Sequence, residues 1–94
     1  MELTKSAKKS LAILYKEYCQ RVKSGVCKSD ARRIHAGEYP EELLDDLKEL
    51  REAGAVRVDI GKNIDLENKA IIYMENLPAD TIKCWLSFGA QFIP

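Results

Sequence analysis

The sequence predicts a mainly α domain with a small β-hairpin, an α+β fold. Two patterns predict it: stretches in which apolar side chains recur every three or four residues, and one stretch in which they alternate every second residue around a glycine turn. Ninety-four residues give room for one core. A composition of 46% hydrophobic and 32% charged residues is a globular balance.

The first helical stretch covers residues 5–23, with Thr4 suited to cap it and Leu11, Leu14, Tyr15, Tyr18 and Val22 on one face. On the other side Lys5, Lys9, Lys16 and Lys23 fall within a narrow arc, because steps of four and seven residues return a helix to nearly the same direction. Gly25 stops the helix, and Val26-Cys27 leaves room only for a short strand. Ser29 is placed to cap a short second helix from Asp30 to Ala36, which Gly37 ends.

Pro40 suits the first turn of a third helix, where its missing N–H is no loss, and Glu41 and Glu42 favour the same end. Leu43, Leu44, Leu47 and Leu50 form that helix's buried face, and Gly54 is placed to take the left-handed conformation that closes it. Val56, Val58 and Ile60 then alternate with Arg57 and Asp59 as a half-buried strand. Gly61-Lys62-Asn63 turns the chain into a second strand, Ile64-Asp65-Leu66.

Ala70-Ile71-Ile72-Tyr73-Met74 fits a buried strand or a short helix equally by its pattern. After Pro78, Ala79 or Asp80 begins a last helix with Ile82, Trp85, Leu86, Gly89, Phe92 and Ile93 on one face and Cys84 and Phe88 outside it.

The order helix, short strand, helix, helix, hairpin resembles a winged helix-turn-helix, and the run from Leu47 to Val56 resembles the end of its third helix leading into the wing. The stretch from Ile64 to Asn76 is similar to a second wing strand entering a helix. Glu67 stands where that pattern has a capping Thr, and Ala70 where it has Gly. More narrowly, Lys28–Arg33 and Ile71–Asn76 are similar to segments of small YjcQ-like winged-helix proteins of Gram-positive bacteria and their phages, a family with no established activity. The resemblance implies a winged helix-turn-helix over residues 1–78, an extra C-terminal helix over residues 79–94 within the same domain, and a helix for residues 68–76.

The 15 basic and 15 acidic residues cancel, which gives no general attraction for nucleic acid. Their distribution is uneven. Residues 1–35 carry nine Lys/Arg against three Asp/Glu, and residues 36–68 carry four against ten. Lys5, Lys9 and Lys16, with Lys28, Arg32 and Arg33 and the wing residues Arg57 and Lys62, are the candidates for gripping the phosphates of double-stranded DNA. Glu41, Glu42, Asp45, Asp46 and Glu49 make the third helix a poor reader of a DNA groove and a candidate docking face for a basic protein. Ile82, Trp85, Leu86, Phe88 and Phe92 are the candidate anchors of a homodimer.

His35 is the only histidine, so a base centred on it, or a pair with Cys27, would rest on one residue, and no Gly-rich phosphate loop is present. Cys19, Cys27 and Cys84 form no C-x-x-C pair, so neither a disulfide framework nor a zinc site is expected. The opening Met1-Glu2-Leu3-Thr4-Lys5 lacks the apolar run of a secretory signal, and no window has the length to span a bilayer. The expectation is therefore a cytoplasmic regulatory or adaptor protein that acts by binding, without catalysis, cofactor, metal, membrane or small-molecule substrate.

Overall fold

A computed structural model describes residues 2–35, 45–61 and 63–87. The described elements are helices α1 (Lys5–Lys23) and α2 (Lys28–Ala31), strand β1 (Arg33–His35), helix α3 (Leu47–Glu52), strands β2 (Val56–Val58) and β3 (Asn63–Leu66), and helices α4 (Asn68–Glu75) and α5 (Ala79–Ser87). The chain is mainly helical with one small antiparallel sheet, the α+β class its sequence predicts.

The long helix forms as its spacing dictates. Thr4 Oγ1 accepts the Ala7 N–H at 3.2 Å, and Gly25, at φ +96°, closes the other end. Leu11, Leu14 and Tyr18 point into the core with the small residues Ala7 and Ala12. Gly54, at φ +77°, likewise ends α3 in the left-handed conformation. Residues 68–76, open between strand and helix by pattern, are helical over Asn68–Glu75, with Ala70, Ile71 and Met74 inward.

The sheet departs from expectation in two places. First, residues 30–36 are not one helix: α2 ends at Ala31, and Arg33–His35 form a strand. Ile34 pairs with Ile64 and is fully buried between the exposed Arg33 and His35, a two-residue alternation too short to stand out beside the Ser-Asp helix start. The sheet's third strand therefore follows α2, whereas Val26-Cys27 ahead of α2 is not a strand, and Cys27 rather than Ser29 holds the N-cap position. Second, β2 ends at Val58. Asp59 N donates to Asn63 O at 3.1 Å and Asp59 Oδ1 accepts the Asn63 N–H at 2.9 Å, closing the turn early and leaving Ile60 fully exposed at its tip.

Strand order is β1-β3-β2, so β3 is central and both its edges are paired. Val56 and Val58 oppose Leu66 and Ile64, and this face joins Leu50 and Ile34 under α1 in one core. The expected positions Pro40, Glu41, Glu42, Leu43, Leu44, Lys62, Phe88, Gly89, Phe92 and Ile93 lie outside the described residues.

Candidate binding surface

The sheet's outer face brings together the charges of three strands. Register places Arg33 and Arg57 on either side of Asp65. Arg33 reaches Asp65 at 3.4 Å and Asp59 at 3.3 Å, while Arg57 Nε donates to Glu67 at 2.7 Å. Hydrogen bonds from Asn63, with the Arg33 charge behind them, hold the Asp59 carboxyl below its ordinary range. Two of the candidate phosphate contacts, Arg33 and Arg57, thus already face carboxylates. Arg32 is half-buried and donates through Nη2 to Asn68 Oδ1, with its Nε enclosed.

The acidic third helix also reads differently in three dimensions. Asp46 and Glu49 turn toward the start of α1 rather than outward. Asp46 Oδ2 accepts the hydroxyls of Ser10 at 2.6 Å and Ser6 at 2.8 Å, and Ser10 is only 5% exposed. Glu49 takes the Thr4 backbone N–H at 2.7 Å on one oxygen and the Thr4 hydroxyl at 2.9 Å on the other. The first turn of α1 has no acidic residue of its own, so these carboxylates supply the negative charge that its unpaired N–H groups favour. The exposed charges of α3 are then Lys48, Arg51 and Glu52, with the exposed Asp45 just ahead of it, two basic against two acidic. Of the candidate acidic docking face, Asp46 and Glu49 are thus engaged by α1, Asp45 is exposed, and Glu41 and Glu42 lie outside the described residues.

The candidate dimer anchors are similarly drawn inward where they are described. Trp85 is 6% exposed, its ring 6.2 Å from that of Tyr73, with Lys8 Nζ 5.6 Å above it. Ile82 and Leu86 pack partly buried on the same core as α5 lies along α1. A stripe at helical spacing identifies an apolar face but not what covers it, and here α1 covers it. His35 and Cys27 are engaged separately, His35 Nδ1 with Asn63 Oδ1 and Cys27 Sγ with Asp30 Oδ2 at 3.1 Å.

The lysines behave differently from the arginines. Lys16, Lys23 and Lys28 are exposed, and no carboxylate pairs with them among the described residues; Lys9, in the same arc, is half-buried. Lys5 is exposed at the start of the arc. Lys16, Lys23 and Lys28 stand at the rim of a hollow of ≈ 560 Å³ along the C-terminal half of α1, walled by Tyr15 and Val22 and by Glu75 of α4. A second hollow of ≈ 370 Å³ shares Tyr18, Lys28 and Glu75 with it and continues over Ile71 and Ile72. The helical face that carries Tyr15, Tyr18 and Val22 packs on the core through a buried Tyr18, while Tyr15 and Val22 are only half-buried and border the hollow. A helical pattern marks that face as apolar but does not say how much of it a neighbouring helix covers.

Comparison with family models, curated proteins and solved structures returns no match to this chain. The cleft and its lysine rim therefore stand on their own geometry. Among the described residues there is no cluster of histidine, cysteine or carboxylate side chains fit to hold a metal ion, and no helix long and apolar enough to cross a membrane.

Proposed function

We propose that the chain is a regulatory or adaptor protein of winged-helix type that acts by binding, and that its partner is a protein presenting acidic side chains to the lysine side of α1 and α2. The observation that carries this reading is the sorting of cations. Arg33 and Arg57 are matched by Asp59, Asp65 and Glu67, whereas Lys16, Lys23 and Lys28 border an apolar cleft without carboxylate partners among the described residues. Lysines beside a hollow that also offers aromatic and aliphatic walls suit a partner with both charge and apolar surface, and interfaces gain their specificity from that combination.

Duplex DNA is the second reading, favoured by the exposed Lys48 and Arg51 on α3, the helix that a winged helix sets into the major groove. Capture of partners from native cytosol, with and without nuclease, separates the two. The adaptor reading expects capture that resists nuclease, is lost in Lys16→Glu/Lys23→Glu and persists in Lys48→Glu/Arg51→Glu. Capture that nuclease abolishes, and that depends on Lys48 and Arg51 instead, would replace it with the DNA reading.

A further inference from the structure

The cleft between α1, α2 and α4 has a definite chemical character. Its apolar surface comes from Tyr15, Tyr18 and Val22 of α1 and from Ile71 and Ile72 of α4, and Ile72 remains 57% exposed although large and aliphatic. Its rim carries Lys16, Lys23 and Lys28 against the single carboxylate of Glu75. On α1 each rim lysine follows a wall residue, Tyr15-Lys16 and Val22-Lys23, and the two pairs are seven residues apart. Seven residues is two helical turns, about 10.5 Å, and it is also the repeat over which two helices packed at a shallow angle keep their side chains in register.

We propose, resting on the adaptor reading above, that this cleft takes the apolar face of an acidic amphipathic helix from another protein. The occupant would lie along α1 with aliphatic residues at i, i+3 and i+7 over Tyr15, Tyr18 and Val22, and with Glu or Asp on its flanks opposite Lys16 and Lys23. This is helix-in-groove recognition with a charged register. Charge complementarity selects this occupant. A duplex would engage the lysines but has no apolar surface to place over Ile71 and Ile72, and a neutral apolar helix would leave three ammonium groups beside it without partners.

The test uses the full chain and a fluorescein-labelled synthetic peptide of about four helical turns, with Leu at the i, i+3, i+7 positions and Glu at most others. A scrambled peptide of the same composition and a short duplex serve as comparison probes, and anisotropy is the readout. The inference expects the patterned peptide to bind at least about tenfold more tightly than the scrambled one. It also expects Ile72→Asp and Lys16→Glu/Lys23→Glu each to weaken binding by about tenfold or more. These positions are exposed, and circular dichroism verifies that the variants stay folded.

Equal affinity for the two peptides, or binding indifferent to Ile72→Asp, would overturn the inference, since charge alone would then explain the contact. So would a duplex that binds the lysines while the patterned peptide does not. Self-association of the labelled-peptide-free chain that Ile72→Asp abolishes would replace the occupant with a second copy, which sedimentation reads directly. If the patterned peptide fails while Lys16→Glu/Lys23→Glu still abolishes nuclease-resistant capture, the helix inference falls and the adaptor reading survives. If that double variant leaves capture intact, the adaptor reading falls as well.

Discussion

The two ends of α1 are treated in opposite ways. At the N-terminal end Thr4, Ser6 and Ser10 are tied to Glu49 and Asp46 of α3 by four hydrogen bonds, all to carboxylate oxygens and all between 2.6 and 2.9 Å. At the C-terminal end Lys16 and Lys23 stand over an open cleft whose single carboxylate, Glu75, forms no ion pair with either of them among the described residues. The same long-range charge asymmetry in the sequence thus serves two purposes. Acidic residues that lie within reach of a helix's positive end fasten one element to another, while basic residues that form no ion pair among the described residues remain available to a partner. Counting charges along a chain does not separate these uses; the distance to the nearest unpaired N–H or hydroxyl does.

If the closed regions hold the fold and the open region does not, truncation at a closed seam has the largest effect. Trp85→Ala removes a buried ring from the α5–α1 seam together with its contacts to Tyr73 and Lys8. The expected loss is about 3–5 kcal/mol in chemical denaturation. A loss below about 1 kcal/mol, joined to a change in sedimentation, would instead make Trp85 an interface residue.

Asp46→Ala acts at the N-terminal end. It leaves the buried Ser10 hydroxyl and the Ser6 hydroxyl without their shared acceptor, and the expected loss is about 1–3 kcal/mol. For a domain of this size each kcal/mol lowers Tm by about 4–8 °C. Affinity for the acidic peptide should stay unchanged, and a coupled loss of binding would break the division between the two ends.

Much of this division was legible, and the exceptions share a cause. The span and cap of α1, the glycine that closes α3, the α5 start after Pro78 and the lysine arc are local properties, set by periodicity and by backbone chemistry within one turn. Strand β1 was not legible, because Arg33-Ile34-His35 is a strand only through pairing with Asn63, Ile64 and Asp65 some thirty residues away. Ile60 falls outside the strand because the Asn63 N–H, donated to the Asp59 carboxylate, ends the ladder earlier than alternation implies. The direction in which Asp46 and Glu49 point is likewise a tertiary fact. Their partners lie some forty residues earlier, and a helical wheel marks them only as polar.

Tyr15 sharpens the comparison from inside the cleft. Burial, a hydrogen bond with Cys19 and the nearby charges of Cys19 and Glu75 keep its phenol protonated well above the ordinary value of 10.0. In the unfolded chain the same phenol ionises near pH 10.0, so above that pH the unfolded state releases a proton that the folded state retains. The stabilising contribution is complete below pH 10 and is lost as pH rises toward the folded value. Unfolding curves at pH 8 to 11 should show wild-type stability falling more steeply than that of Tyr15→Phe, which keeps the ring and removes the proton. Parallel slopes would mean that Tyr15 is as solvated as the lysines beside it.

The smallest effect on stability belongs to the open end. The neighbours of Lys16 three and four residues away along α1 are Ala12, Ile13, Cys19 and Gln20, none of them charged, so Lys16→Glu breaks no ion pair on its own helix. An exposed mid-helix exchange between two good helix formers should change stability by no more than about 0.5 kcal/mol in denaturant titration. The contrast with Asp46→Ala is the point of the measurement. A carboxylate bonded to two hydroxyls is part of the fold, whereas a lysine that pairs with no carboxylate among the described residues contributes little to the folded state and can be reversed at little structural cost. Should Lys16→Glu prove as destabilising as Asp46→Ala, the rim lysine would be making an intramolecular contact, and the cleft it borders would be closed by the chain itself.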